Sequence, residues 1–155
     1  MSLHKHEEKV KQLIQRYSDV YLHVLKKIDS IIAEKVNKEL TLDQYYILRY
    51  IMLNPDCKSI ELAAVCHVNK SAITSMTNRL YEKGYIKRER SQSDRRSILL
   101  NVTEKGTEVF HRVERRIEDL VRSYIMHFDE DEAEMFVNTY EKLYRLMMTE
   151  EDRQT

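Results

Sequence analysis

Lys70, Ser71, Thr74, Ser75 and Asn78 recur at the helical period, so a helix through them carries all five on one arc. Ile73, Met76 and Leu80 fall together on the opposite arc and are expected to point inward. Short hydroxyl and carboxamide side chains suit close approach to the edges of DNA bases. Asn pairs bidentately with adenine, Ser and Thr pair with several edges, and the Thr methyl meets the thymine methyl. An ordinary exposed helix face, the competing reading, carries long Glu and Lys instead. Further on, Asp94-Arg95-Arg96 stands in a polar, turn-like stretch. A guanidinium on a protruding loop suits phosphate or a narrow minor groove, and a solvated turn is the plainer alternative. The expected contacts to double-stranded DNA are therefore Lys70, Ser71, Thr74, Ser75, Asn78, Arg95 and Arg96.

Charge supports the same region. The 155 residues hold 26 Lys and Arg against 26 Asp and Glu, so a uniformly basic coat is excluded. Yet residues 70–96 carry an excess of five positive charges, while 129–152 hold nine acids against Lys142 and Arg145. A basic pole is what counterion release from phosphates requires.

Other chemistry finds little footing. Cys57 and Cys66 make no disulfide framework, and Cys66 reads as a buried, inert thiol. His4 and His6 lie at the terminus and His23, His67, His111 and His127 are scattered, so no metal site is expected. Gly84 and Gly106 are the only glycines, which excludes a Gly-rich phosphate loop. With no nucleophile–base pair, metal set or cofactor motif, the chain reads as a non-enzyme without cofactors. It shows neither a signal peptide nor an apolar run of the roughly 18 residues a membrane span needs. A cytoplasmic, reduced protein is expected.

Two glycines and one proline leave few turns, so the fold must be mostly α-helical. Residues 7–38 contain neither, and Ile14, Tyr17, Tyr21, Val24, Ile28 and Ile31 alternate spacings of three and four. That is the seam of a long helix, fit to pack on a second chain. Thr41-Leu-Asp-Gln44 is a capping box that starts the next helix, and Asn54-Pro55 ends it. A short helix starts at Ser59, a tight connection His67-Val-Asn69 follows, and a second helix runs to Lys83 with Gly84 at its stop. This order is the helix-turn-helix pattern. The period then changes: residues 85–90 and 97–102 read as two strands of a charged hairpin. Thr103 caps a helix with Val109, Val113, Ile117, Leu120, Val121 and Tyr124 inside. Asp129-Glu-Asp-Glu132 caps a last one, with Phe136, Tyr140, Leu143 and Met147.

From Leu40 to Gly106 the chain closely resembles the MarR family of bacterial transcription regulators. The matching pieces are Leu40-Thr-Leu-Asp-Gln-Tyr45, Glu61-Leu-Ala63, Lys70-Ser-Ala-Ile-Thr74, Asn78-Arg-Leu-Tyr-Glu-Lys-Gly-Tyr-Ile86, Asp94-Arg-Arg96 and Val102-Thr-Glu-Lys-Gly106. Ser91-Gln-Ser93 departs from the Asp-Pro-Glu that the family often carries there. The resemblance implies a winged helix-turn-helix with a small β-hairpin wing. It also implies a helical dimerisation lobe built from the N- and C-terminal helices, and a homodimer on a palindromic operator. Base contacts from the Lys70–Asn78 face and a minor-groove contact from Arg95 or Arg96 are implied as well. Members often respond to small phenolic or anionic effectors, which makes Tyr17, Tyr21, Tyr45 and Tyr50 candidates for ligand binding, or else core and seam aromatics.

The organisation expected is 1–40 as N-terminal dimerisation helix, 41–103 as winged helix-turn-helix and 104–155 as C-terminal dimerisation helices. The function expected is sequence-specific DNA binding, as a repressor relieved by a small ligand. The alternative is a helical adaptor whose basic lobe binds an acidic protein.

Overall fold

The structure is a computed structural model that describes residues 2–36, 39–66, 68–92 and 96–151. Arg95 and Asp94 of the expected wing tip, and His67 of the expected turn, lie outside the described residues. The elements in chain order are α1 (Ser2–Lys35), α2 (Leu42–Leu53), β1 (Cys57–Lys58), α3 (Ser59–Val65), α4 (Lys70–Glu82), β2 (Ile86–Arg90), β3 (Ile98–Val102), α5 (Glu104–Ile125) and α6 (Glu130–Glu151). The chain divides into two compact units, Met1–Glu114 and Arg115–Thr155, and the division falls inside α5.

Local chemistry explains where the helices start. At α2, Thr41 Oγ1 accepts from the Gln44 amide at 3.2 Å, and Gln44 Oε1 accepts from the Thr41 amide at 3.2 Å. Two orphan donors of the first turn are thus satisfied, for about 1 kcal/mol. Asp129 and Glu132 repeat the exchange at α6, at 2.8 and 3.1 Å. Thr103 Oγ1 accepts from the Gly106 amide at 3.0 Å at the head of α5 and donates to the Gly84 carbonyl at 2.7 Å. Ser59 does begin α3, but Lys58 occupies the cap position and supplies no side-chain bond.

The hairpin expected from residues 85–102 forms, with Arg88 opposite Leu100 and Arg90 opposite Ile98. Its stem closes with the Ser91 amide donating to the Ser97 carbonyl at 3.0 Å. A third strand joins it that sequence patterning does not reveal. Cys57 and Lys58 pair antiparallel with Leu100 and Leu99, giving the order β1-β3-β2. The approach to β1 turns at Asp56, whose φ of 61° is left-handed. The Asp56 amide donates to Asn101 Oδ1 at 3.0 Å, and Asn101 Nδ2 donates back to Asp56 Oδ1 at 2.7 Å.

In the first unit, α2, α3, α4, the sheet and the first half of α5 share one core. Ile47, Leu48, Leu62, Leu80, Leu100 and Val113 have no exposed surface. At 1.5–3 kcal/mol for each large apolar side chain, such burial is the main stabilising term. Both glycines serve the α4–α5 connection. Gly84 takes φ +73° and ends α4, and a Cβ at Gly106 would collide with the Tyr85 carbonyl oxygen. The head of α5 therefore rests directly on the backbone before β2.

The seam of α1 is exposed in the single chain. Ile14 and Tyr17 are each 59% exposed, and Leu13, Val20 and Ile28 are exposed too. In the second unit, Phe136, Tyr140, Leu143 and Met147 of α6 are likewise uncovered. No helix among the described residues is long and apolar enough to cross a membrane.

Candidate nucleic-acid interface

Asn69 sets the start of α4. Its Oδ1 accepts from the Ala72 amide at 2.8 Å and from the Ser71 hydroxyl at 2.7 Å. From there the helical period decides which side chains turn in. Ile73 and Leu80 are fully buried as expected, but Met76 is only partly covered. The third inward position belongs to Thr77, 1% exposed. Its hydroxyl donates to the Ile73 carbonyl at 2.8 Å, so the polar letter hides a satisfied core residue.

The outer arc presents Lys70, Ser71, Thr74 and Ser75 to solvent, with Asn78 half-buried at its edge. These sequence-chosen residues therefore share one face. Thr74 donates to the Lys70 carbonyl at 2.8 Å, so the Ser71 and Thr74 protons are both committed within the helix. What these two hydroxyls offer outward is acceptance. Asn78 is not free. Arg88 Nη2, from the middle of β2, donates to its Oδ1 at 2.6 Å and reaches Thr77 Oγ1 at 3.4 Å. The Arg88 guanidinium also lies 5.0 Å from the centre of the Tyr81 ring. Sequence reasoning missed Arg88, because only the strand register brings it beside α4.

Cations around this arc fall into two groups. Lys70, Arg79 and Arg90 are exposed and hold no ion pair with a described residue. Arg96 is exposed at the foot of the wing. Others are occupied. Lys83 donates to the Glu39 carbonyl and Lys105 to the Lys83 carbonyl, each at 2.9 Å, and both ammonium groups stand over the Tyr85 ring. Lys87 pairs with Glu89 at 2.7 Å, and that hydrogen bond raises the lysine above its ordinary value.

Cys57 is buried and Cys66 partly covered. Burial, with the nearby Glu61 charge second, pushes the Cys57 thiol up to about 11. Burial and then Asp43 raise Cys66 as well. Both shifts disfavour the thiolate, the reactive form of cysteine. Among the described residues no group of three or more His, Cys, Asp or Glu could hold a metal ion.

The four candidate tyrosines are not brought together. Tyr17 and Tyr21 stack on each other at 4.9 Å along α1. Tyr45 is buried and stacks on Phe110 with ring centres 5.0 Å apart and planes 2° from parallel. Tyr50 lines an open cleft of about 310 Å³ in the first unit, with Tyr46, Arg49, Leu53, Cys66 and Met76. Tyr46 is thus the partner that sequence reasoning passed over. Adjacent residues on a helix point about 100° apart, which sends Tyr45 inward and Tyr46 into the cleft.

Comparison with known proteins agrees with this geometry. Residues 27–113 match the model of the family described as transcriptional regulator SarA/Rot. The chain is 34% identical over 118 residues to the uncharacterised HTH-type transcriptional regulator YpoP of Bacillus subtilis (strain 168), covering 76% of this chain and 73% of that one. Among solved structures, MarR is 30% identical with a TM-score of 0.71, over 88% of this chain and 93% of the other. FabT of Streptococcus pneumoniae, solved in complex with DNA, is 24% identical with a TM-score of 0.74, over 88% and 98%.

Proposed function

We infer the function of a chain that belongs to the SarA/Rot family of transcriptional regulators and folds as a MarR-type winged helix: it binds a palindromic operator as a homodimer and represses transcription from it. That it is a DNA-binding transcriptional regulator follows from the family. The finer reading rests on the outer arc of α4, where short hydroxyls and Asn78 share one face with the exposed Lys70 on a lobe that also exposes Arg79 and Arg90. Such an arc enters the major groove to read bases, while Lys70, Arg79, Arg90 and the wing meet phosphates. Arg95 and Arg96 are assigned to the wing's contact with phosphate or the narrow minor groove. The exposed apolar seams of α1 and α6 supply the dimer surface, since faces of this size seldom stay in water. Neither family nor fold favours the helical adaptor. Such a regulator works in the cytoplasm, where the DNA is, and needs no catalytic group.

An effector fits the cleft beside Tyr46 and Tyr50. Two phenol rings and the Arg49 guanidinium suit a small phenolic or anionic molecule, with its apolar body on Leu53 and Met76. Met76 lies on the helix that carries Thr74 and Asn78, so an occupant touches the back of the reading element. Its binding would relieve repression by shifting that helix.

Selection of bound fragments from genomic DNA, followed by titration of the winning site and a scrambled one at several salt concentrations, tests the reading. Selective binding that weakens steeply with salt is expected. Arg95→Ala should lower the salt slope by about 2 in a dimer, one phosphate per protomer. Binding with salt dependence but no selectivity would restore the adaptor.

A further inference from the structure

The sequence suggests that Asn78 pairs bidentately with adenine, which requires its carboxamide to donate to N7 and accept from the N6 amine. Its surroundings argue otherwise. Arginine has donors and no acceptor, so the atom facing Arg88 must be Oδ1 and not Nδ2. The 2.6 Å separation is that of a charge-assisted hydrogen bond. Three things hold the guanidinium in place. Arg88 sits at the centre of β2, paired with Leu100 of the central strand. It packs over the Tyr81 ring, and its Nη2 also reaches Thr77, itself anchored in the core.

We propose that Arg88 is a positioning residue that sets the base specificity of Asn78. By holding the carboxamide oxygen it leaves the NH2 group to face DNA, so Asn78 seeks an acceptor edge. Guanine fits best, with N7 and O6 side by side and no major-groove donor. Adenine would bring its N6 amine toward an oxygen already engaged by a cation. The wing strand therefore edits what the reading helix recognises, without touching a base. This rests on the DNA reading of α4 given above.

The experiment selects operators from a randomised library with the full-length protein and its variants. Asn78→Ala identifies the base pair concerned, as the one whose preference it flattens. At that pair the wild type should favour guanine by about tenfold. Arg88→Met keeps the length of the side chain and removes its donors. It should shift the preference there to adenine, because the oxygen is released for bidentate pairing. Arg88→Lys, which retains a charged donor, should keep guanine. In an Asn78→Ala background, Arg88→Met should change nothing more at that pair. The proposal is overturned if the wild type favours adenine there, if Arg88→Met keeps the wild-type preference, or if Asn78→Ala alters no pair. Equal blurring of every base pair by both Arg88 variants would also overturn it, since that marks a wing that merely supports the fold. A wild-type protein that selects no sequence would sink the DNA reading itself, whereas selective binding with an unmoved preference in Arg88→Met sinks this inference alone.

Discussion

Leu100 and Ile14 are both large aliphatic residues inside regular secondary structure, yet Leu100 has no exposed surface and Ile14 keeps 59% of its own. Around Leu100, the sheet, α2 and α3 close within one chain. Around Ile14, the α1 seam repeats one uncovered apolar residue after another, and α6 in the second unit does the same. Composition cannot distinguish the two regions, because both are as apolar as their periodicity demands. The difference lies in what covers each within the single chain. The winged lobe is covered by elements of its own chain, some of them more than forty residues apart, whereas the α1 and α6 faces stand uncovered, and a second copy is proposed to cover them.

The largest effect should come from attacking the open side. Ile28→Glu puts a carboxylate into the α1 seam, and the expected outcome is loss of the dimer with a poorly soluble or unfolded chain in sedimentation. A well-folded, soluble monomer of this variant would break the contrast, because α1 would then need no partner.

Leu100→Ala attacks the closed side. Removing a fully buried leucine should lower stability by about 2–5 kcal/mol in denaturant unfolding. The sedimenting mass should stay that of the wild type. A change of mass would mean that the lobe's core also depends on the partner.

A smaller effect reports on how dry the closed side is. The Cys57 thiol is raised to about 11 from an ordinary 9.0, so the folded state keeps its proton after the unfolded chain has lost it. That stabilisation is complete below pH 9 and disappears as pH rises toward 11. Against a Cys57→Ala reference, which lacks this titration, the wild type should lose roughly 2–3 kcal/mol across that window. Parallel pH profiles for the two proteins would show that water reaches the thiol.

Thr74 tests the third kind of surface, polar and exposed. Thr74→Ala should leave stability within about 0.5 kcal/mol and relax discrimination at particular base pairs by about 1–3 kcal/mol. Unchanged selectivity would move the reading face elsewhere on α4.

Much of the lobe could be read before its structure was known, for local reasons. Thr41 with Gln44, Asn69 with Ala72, and Asp129 with Glu132 are bonds spanning three residues, so the order of letters specifies them. The change of period after Gly84 announced the hairpin in the same way. What stayed hidden depended on distant partners. β1 is two residues long, too short to show alternation, and exists only because Leu99 and Leu100 accept it. Thr77, not Met76, takes an inward position on α4, because its hydroxyl donates to the Ile73 carbonyl and so its polarity is satisfied inside. Arg88 read as one more cation in a basic run. Its grip on Asn78 spans ten residues and requires the strand register. The helical face at 70–78 was legible, but not the hydrogen-bond polarity it presents.

The reciprocal bonds between Asp56 and Asn101 carry a consequence for how the lobe breathes. They join residues 45 apart in the chain and hold Asp56 in a left-handed conformation that an aspartate adopts reluctantly. Beyond them, β1 is only two residues of pairing. When the two side chains part, the backbone strain is released and a long loop regains its freedom, so little draws the strand back. Local opening of the lobe should therefore begin at this edge, and the amides of Cys57 and Lys58 should exchange with solvent hydrogen well before those of β2 and the rest of β3. Lying between α2 and α3, the edge would let those helices loosen while α4 and the hairpin stay paired.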